Sequence, residues 1–186
     1  AQAAPSLQNA GVSTDDAQIA SLAEDYHAKV IRRPAALAGD DSPTVDVIMH
    51  ALQSIRAEGI TPTAVMTLQP TNPLRPIAMV EDAIARFTSS PCDSLVSVSV
   101  RPLKTGQIVE GYYEPDYEFG QQSRLMDSIA IENGLLYITN VETLDNGSLS
   151  GKRILAYETT PPFDKVDIDE PSDIKVGECI LAAVRD

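Results

Sequence analysis

Two aspartates separated by one apolar residue, Asp167 and Asp169, are the side chains in this sequence best spaced to bind a metal. In a strand, residues two apart face the same side, so both carboxylates would share a face while Ile168 turns into the core. Such carboxylates repel each other unless a cation lies between them, and Mg²⁺ takes one or two carboxylates together with water and substrate phosphates. We therefore predict a Mg²⁺ site here. The alternative is that Asp169 only caps the helix starting at Pro171 and that Asp167 is solvated.

A proline-containing loop at residues 68–75, called here the proline loop, provides a second set of polar groups. It follows an apolar run at residues 64–68 that predicts a buried strand. Pro70 and Pro73 each fix φ and favour extended geometry in the residue before them. A stiff loop at the carboxyl end of a strand is where ligands bind in open α/β sheets. Its donors and acceptors would be Gln69, Thr71, Asn72 and Arg75. The alternative is an ordinary proline-rich turn.

Two basic residues and one dipeptide complete the set of candidates. Arg33 precedes a proline at the predicted exit of a strand, where its guanidinium can fork onto a phosphate or a pyrimidine edge, or else form a surface salt bridge. Lys104 lies in an acidic region and would neutralise a phosphate or a sugar carboxylate, or else is a solvated loop lysine. Asn133 and Gly134 predict a turn by themselves.

Together these stretches resemble the acylneuraminate cytidylyltransferase family, which comprises the CMP-sialic acid synthetases and their bacterial nonulosonate relatives. Six short motifs occur in the family's order, and the six together are much more specific than any one of them. They are VSTDD at 12–16, RPAALAGD at 33–40, LQPTNPLR at 68–75, PLK at 102–104, ENGLLYI at 132–138 and VDID at 166–169. The resemblance runs from about Val12 to the C-terminus.

The resemblance implies that the anomeric hydroxyl of a nine-carbon 2-keto acid sugar attacks the α-phosphate of CTP, giving a CMP-sugar and pyrophosphate. It implies that Asp167 and Asp169 are catalytic and hold Mg²⁺, and that Lys104 is catalytic as well. The residues matching nucleotide-binding positions are Arg33, Thr44 and Thr71. Those matching sugar-binding positions are Gln69, Asn72, Arg124, Asn133 and Tyr137. Ile131 stands where relatives often have an arginine, so a residue that binds the sugar carboxylate is either missing or provided by another part of the protein.

Helix and strand signals alternate along the chain and predict an α/β fold: a single three-layer α/β/α domain with a mostly parallel sheet. The resemblance implies the nucleotide-diphospho-sugar transferase type. One predicted helix is capped by Asp15 or Asp16 and places on one face Ile19, Leu22, Ala23 and Tyr26. The next is capped by Ser42, starts at Pro43, ends at Gly59 and has a buried stripe of Val45, Ile48, Leu52 and Ile55. The last, at 171–184, has on one face Ile174, Leu181 and Val184.

Residues 101–131, called here the excursion, break this alternation. They are rich in tyrosine and acid, and we predict an irregular segment with one or two short strands that leaves the sheet. The resemblance implies that the excursion helps form a homodimer and covers the neighbouring subunit's sugar site.

Composition excludes some classes of function. The chain of 186 residues suits one domain, and its net charge of −13 argues against broad nucleic-acid binding, which needs a positive surface. A nucleotide would need locally clustered Lys and Arg, a metal or helix N-termini. No apolar run is long enough for a membrane span. Cys92 and Cys179 lack metal-ligand spacing, so a reduced, cytoplasmic protein is expected.

The start of the chain differs from the family pattern. The family opens with a strand and a glycine-, lysine- and arginine-bearing loop that wraps the triphosphate, and nothing before VSTDD resembles it. We therefore expect residues 1–186 to form an N-terminally incomplete domain that binds CTP poorly. Two alternatives stay open: another sugar nucleotidyltransferase, such as one for 3-deoxy-manno-octulosonate, and a non-catalytic dimeric binding domain of the same fold.

Overall fold

The structure is a computed structural model that describes residues 4–184. Within that range it has eight strands and five α-helices. The strands are β1 (Gly11–Thr14), β2 (Lys29–Arg32), β3 (Ala64–Thr67), β4 (Ser94–Pro102), β5 (Gly106–Val109), β6 (Tyr112–Pro115), β7 (Ser128–Asn140) and β8 (Ile154–Glu158). The helices are α1 (Ala17–Asp25), α2 (Thr44–Ala57), α3 (Ile77–Ser89), α4 (Val141–Asp145) and α5 (Pro171–Ala183).

The largest sheet has four strands in the order β3-β7-β4-β8. Strand β7 is antiparallel to both β3 and β4, and β4 is parallel to β8. Three of the four strands therefore run in one direction, which confirms the mostly parallel sheet, and β7 is the exception. Strands β1 and β2 form a separate parallel pair, and β5 and β6 an antiparallel hairpin.

Both faces of the central sheet are covered. Leu135 and Leu136 are neighbours in β7, so their side chains point to opposite faces, yet both are 0% exposed. On one face, Leu136 packs in a cluster with Ala83 of α3, Leu95 of β4 and Tyr157 of β8. Burial on both faces is what a three-layer α/β/α domain requires.

Helix α1 begins as predicted but exposes most of its predicted face. Asp16 caps it by accepting hydrogen bonds from the backbone N–H groups of Gln18 and Ile19, at 2.7 and 2.8 Å. The helix packs against β1 and β2 and buries Ala20 and Ala23. The other three residues of the predicted face are exposed, by 52% for Ile19, 58% for Leu22 and 73% for Tyr26. The small alanines form the covered face, because they let the helix lie close to the strands.

The other helices correct two further details. Pro43, rather than Ser42, is the N-cap of α2, and Ser42 is held in the preceding turn by donating its N–H to the Gly39 carbonyl. The predicted stripe of α2 is buried or half-buried, and Gly59 follows the helix with φ +81°. In α5, Ile174 and Val184 of the predicted face are exposed, and the buried residue is Gly177, which lies against Val166.

The excursion contains two short strands, β5 and β6, as predicted. Its two ends belong to the central sheet, because β4 continues to Pro102 and pairs there with Ser128, the first residue of β7. None of the helices within residues 4–184 is both long and apolar enough to span a bilayer.

Candidate functional site

The proline loop leaves the carboxyl end of β3 and is fastened to β7 by Arg75. The Arg75 Nε–H donates to the carbonyl of Leu135, and its Nη2 donates to the carbonyl of Gln69 within the loop. Burial lowers the pKa of Arg75 to about 10, so the guanidinium stays charged at neutral pH. One half-buried cation thus holds the loop to the neighbouring strand and gives this edge of the sheet a positive charge.

The proline loop meets the VDID motif, although the two lie far apart in sequence. The side-chain amide of Asn72 donates from Nδ2 to Oδ1 of Asp167 at 3.0 Å, across 95 residues of chain. Next to it, the Ile168 N–H donates to the Thr71 carbonyl at 2.8 Å. The structure therefore brings two of the six motifs into direct contact.

The backbone around Asp167 is not the strand that was predicted. Residues 166–168 belong to no strand, and the backbone hydrogen bond from Ile168 holds them beside the proline loop instead. The alternative in which Asp169 caps α5 is also wrong. Glu170 is the N-cap, and Asp173 Oδ2 accepts the N–H groups of Asp169 and Glu170 at 3.0 and 2.8 Å. The carboxylates of Asp167 and Asp169 remain exposed.

Asn133 and Gly134 form an irregularity inside β7 rather than the turn that the dipeptide predicts. The pairing of β4 with β7 shifts there from Val96 opposite Tyr137 to Val98 opposite Glu132. Gly134 has φ +70°, and a Cβ at this position would lie 2.9 Å from both Asn72 Nδ2 and Gln69 Oε1. The local signal for positive φ was right, but strand pairing on both sides keeps the chain extended. The proline loop packs against this glycine.

Tyr137 lies next to the same contacts. It is half-buried, and its hydroxyl donates to Glu132 Oε2 at 3.5 Å. Burial raises the pKa of Tyr137, and the negative charges of Glu132 and Asp167 add to that shift. The structure therefore gathers four of the predicted site residues around one point: Gln69, Asn72, Tyr137 and Asp167. Sequence reasoning missed Glu132, although it lies in the ENGLLYI motif.

Two of the predicted sugar contacts point into the protein. Asn72 is only 1% exposed. Asn133 donates both amide hydrogens internally, to Ser99 Oγ at 3.0 Å and to Thr159 Oγ1 at 2.7 Å. Ser99 in turn donates to Asp164 Oδ2 at 2.7 Å. This polar network had no sequence signal, because its members come from β4, β7 and the segment after β8.

The predicted nucleotide-binding residues lie apart: Arg33 is beside the β1–β2 pair, Thr44 begins α2, and Thr71 is in the proline loop. Arg33 follows β2, and its Nη2 donates to the Ser13 carbonyl at 2.6 Å. Arg33 Nε and Ser13 Oγ are both buried without a hydrogen-bond partner. Thr44 is the exposed first residue of α2. Because buried polar atoms nearly always find partners, the two orphaned atoms indicate a place for water or a ligand.

Lys104 and Arg124 lie in the excursion. The Lys104 ammonium is 5.4 Å from the ring centroid of Tyr117, and Arg124 Nε donates to Gln122 Oε1 at 2.7 Å. Both are exposed. Over the described part of the chain, no hydrogen bond or ion pair connects either residue to the proline loop.

The exposed donors at this edge fit Mg²⁺. Asp167 and Asp169 provide hard carboxylate oxygens, and residues 4–184 contain no cluster of three or more His, Cys, Asp or Glu that would form a closed metal cage. Mg²⁺ commonly takes one or two protein carboxylates and completes its octahedron with water and phosphate oxygens.

No protein-family model matches the sequence. Curated relatives do match over most of the chain. An N-acylneuraminate cytidylyltransferase of Escherichia coli O18:K1:H7 is 28% identical over 89% of this chain and 40% of its own length. N-acylneuraminate cytidylyltransferase A of Danio rerio is 28% identical over 90% of this chain and 39% of its own length. The chain thus spans about two fifths of the length of these two relatives.

A shorter relative aligns over more of its own length. The CMP-N,N'-diacetyllegionaminic acid synthase of Legionella pneumophila is 26% identical over 91% of this chain and 76% of its own length. These three relatives confirm the resemblance found in the six motifs.

Solved structures share the fold. A CMP:2-keto-3-deoxy-manno-octonic acid synthetase complexed with CTP superimposes with a TM-score of 0.63 at 13% identity, over 98% of this chain and 84% of the other. A 4-diphosphocytidyl-2C-methyl-D-erythritol synthase gives a TM-score of 0.65 at 8% identity, over 97% of this chain and 84% of the other. The chain therefore has the mixed α/β fold of these two enzymes.

Proposed function

We propose that this chain, which resembles the acylneuraminate cytidylyltransferases over about nine-tenths of its length, performs their type of reaction. The substrates are CTP and a nine-carbon 2-keto acid sugar, and the products are a CMP-sugar and pyrophosphate. The observation that carries this proposal is the contact between the proline loop and the VDID motif, made through Asn72 and Asp167. That contact places exposed carboxylates beside a polar loop at the carboxyl end of a strand, where ligands of α/β proteins bind.

The carboxylates of Asp167 and Asp169 would hold Mg²⁺, which neutralises charge on the transferring phosphoryl group. In this proposal each of the two aspartates keeps a carboxylate oxygen directed towards the substrate phosphates. Catalysis of this kind depends mostly on placement and electrostatics.

The substrates are bound by different elements in this proposal. Gln69 and Tyr137 contact the sugar, since Gln69 is an exposed residue of the proline loop and Tyr137 lies near Asp167. Thr71 bridges sugar and nucleotide. Arg33, with its unpaired Nε, and Thr44 bind the cytidine. Asn133 holds the β7 irregularity in place rather than touching the sugar, because its amide hydrogens are already bonded.

The excursion forms the homodimer interface in this proposal. It carries exposed apolar side chains, including Ile108 at 80% and Phe119 at 82% exposure. Lys104 and Arg124 project from the excursion, so a second copy is the means by which their charges reach the acidic sugar. A homodimer thereby explains why neither residue contacts the proline loop of its own chain.

The test is pyrophosphate release from CTP with a panel of keto acid sugars: N-acetylneuraminate, a legionaminate and 3-deoxy-manno-octulosonate. Because this chain is expected to bind CTP weakly, the assay uses CTP at high concentration; we expect activity with a nine-carbon sugar, and a loss of about 100-fold or more in kcat/KM for Asp167→Asn and Asp169→Asn. Asp145→Asn is the matched control, because Asp145 is a partly exposed carboxylate that pairs with Arg56 on α2.

Three results would contradict the proposal in different ways. A clear preference for 3-deoxy-manno-octulosonate favours the other sugar nucleotidyltransferase. Unchanged Mg²⁺-dependent activity in both aspartate variants refutes the metal assignment. Dimerisation without any CTP-dependent thermal shift or turnover favours a binding domain.

A further inference from the structure

Asn72 differs from the other polar residues of the proline loop in being buried. Its exposed fraction is 1%, whereas Gln69 is exposed and Thr71 is half-buried. A substrate in the site therefore has no access to the Asn72 side chain. The one side-chain hydrogen bond that this amide makes in the described structure leads outward, to Oδ1 of the exposed Asp167 at 3.0 Å.

The chemistry of the two groups fixes the direction of this bond. An ionised carboxylate only accepts hydrogen bonds, so the atom facing it must be the NH₂ of the amide. The adjoining backbone bond, from the Ile168 N–H to the Thr71 carbonyl at 2.8 Å, aligns the two segments. Asp167 is thereby held at its backbone and at one carboxylate oxygen, while Oδ2 is left free.

The surrounding packing keeps the amide in place. Gly134 leaves room for it, since a Cβ there would lie 2.9 Å from Asn72 Nδ2. Arg75 fastens the loop to β7 on the other side of Asn72, through the carbonyls of Gln69 and Leu135. The packing of Gly134 and Arg75 around Asn72 therefore fixes the orientation of its amide. The hydrogen bond from this amide in turn fixes the orientation of the Asp167 carboxylate.

We propose that Asn72 is a positioning residue that orients Asp167 for the divalent cation, and that it does not bind the sugar. This inference rests on the proposed function, because it takes Asp167 as a metal ligand. With the amide bonded to Oδ1, the Asp167 carboxylate is held in one orientation and would offer its free Oδ2 to the ion. Loss of the amide leaves the exposed carboxylate free to rotate, and partners of this kind typically contribute tenfold or more to metal affinity.

The test measures binding of Mn²⁺, as a paramagnetic substitute for Mg²⁺, to the full chain by electron paramagnetic resonance of the free ion. We compare wild type with Asn72→Leu, which keeps the side-chain size but removes the donor, and with Asn72→Ala, which adds no apolar bulk. Both are expected to weaken Mn²⁺ binding about tenfold. Asp167→Asn is the reference for loss of the ligand itself.

Asn140→Leu is the matched control. The Asn140 side chain caps α4 by accepting the Thr143 N–H at 2.8 Å. Asn140 is the last residue of β7 and makes no hydrogen bond to the proline loop or to Asp167 in the described structure. Its loss costs about 1 kcal/mol of stability, comparable to the loss of the Asn72 bond, but leaves Asp167 untouched. Mn²⁺ affinity in this variant should equal that of wild type.

The outcomes separate this inference from the proposed function. Wild-type affinity in both Asn72 variants, together with loss of binding in Asp167→Asn, refutes the positioning role and leaves the metal site standing. Failure of the wild-type chain to bind Mn²⁺, or equal binding by Asp167→Asn, refutes the metal assignment and the positioning role together. A sugar KM that rises in Asn72→Ala while Mn²⁺ affinity is unchanged shows that Asn72 contacts the sugar instead.

Discussion

Individual polar atoms distinguish the two ends of the proposed site. At the proline loop, the buried polar groups have hydrogen-bond partners: Asn72 donates to Asp167, and Arg75 donates to two carbonyls. Beside β1 and β2, Arg33 Nε and Ser13 Oγ are buried and unmatched. An unpaired buried donor costs about 1–3 kcal/mol, which a bound base or phosphate would recover. The first end is therefore preorganised, whereas in the proposed function a ligand would complete the second.

Tyr157 provides a prediction about pH at the level of one residue. Its hydroxyl donates to Asp82 Oδ2 at 2.9 Å, and Arg86 pairs with the same oxygen at 3.0 Å. Burial, and then the hydrogen bond and charge of Asp82, raise the pKa of Tyr157 to about 12. An unfolded tyrosine loses its proton near pH 10, so this stabilisation is complete below pH 10 and is lost as the pH rises towards 12.

The Tyr157→Phe variant measures that contribution. Below pH 10 it should be about 1.5 kcal/mol less stable than wild type in urea denaturation, since it lacks a hydrogen bond to a charged group. Between pH 10 and pH 12 the difference in the free energy of unfolding should fall steadily, because wild type then loses this stabilisation while the variant does not. The high-pH titration of Arg75 is common to both proteins and cancels. Tyr26→Phe, which removes an exposed hydroxyl, should stay within about 0.5 kcal/mol of wild type. A difference that does not change with pH would contradict the interpretation.

At the level of elements, β7 organises the site. It is the antiparallel strand between β3 and β4, and its irregularity at Gly134 accommodates the proline loop. Bulged strands next to active sites commonly redirect side chains. Here the redirected side chains are Asn133, which turns into the polar network, and Tyr137, which lies near Asp167.

Replacing Gly134 by alanine tests this role. The variant combines a strained φ of +70° with a Cβ 2.9 Å from Asn72 Nδ2 and Gln69 Oε1. We expect a loss of about 2–3 kcal/mol in the free energy of unfolding, measured by urea denaturation, and weaker Mn²⁺ binding because Asn72 is displaced.

Gly59→Ala is the matched control for strain alone. Gly59 has φ +81°, but a Cβ there would have nothing within 4 Å. The Gly59→Ala variant should therefore lose only about 1 kcal/mol in the free energy of unfolding and should bind Mn²⁺ as wild type does. Equal losses of stability in the two variants, with Mn²⁺ binding intact in both, would show that the proline loop does not depend on the glycine at 134.

The elements also show what the sequence alone predicts. Caps and breakers act locally, so the signals at Asp16 and Gly59 placed helix ends correctly. Periodicity identified which residues share a face but not whether anything covers that face, and the face that Ile19 and Leu22 share is exposed. The direction of β7 depends on partners distant in sequence. The meeting of Asn72 and Asp167 was suggested by the resemblance, whereas the polar network around Asn133 could not be derived from the sequence.

At the scale of the whole molecule, net charge affects the binding of an anionic ligand, whereas exposed apolar surface affects dimerisation. A net charge of −13 would repel the proposed substrate CTP, so the local positive charge of Arg33 and Arg75 matters more than it would on a neutral protein. Neither arginine forms an ion pair with a carboxylate within residues 4–184. Their charge is therefore available to the ligand.

Among the exposed apolar side chains are a patch on the excursion and a patch on α1, and the proposed homodimer requires only the first. The excursion exposes Ile108 at 80% and Tyr112 at 76%, whereas α1 exposes Ile19 at 52% and Leu22 at 58%. A two-fold dimer uses the same patch of both copies, so each substitution removes two contacts. Burial of one large apolar side chain contributes about 1.5–3 kcal/mol. The double variant Ile108→Ser/Tyr112→Ser should therefore raise the dimer dissociation constant more than a hundredfold.

Sedimentation velocity over a range of protein concentrations measures this change. The matched variant Ile19→Ser/Leu22→Ser removes the other patch and should sediment as wild type does. Loss of activity should accompany dissociation, and mixing the excursion variant with an Asp167→Asn chain should restore part of it, because the intact excursion of the Asp167→Asn chain can complete the site that holds the variant's intact Asp167. Dissociation caused by the α1 variant instead would place the interface on the helix, and Lys104 and Arg124 would then have no route to a neighbouring sugar site.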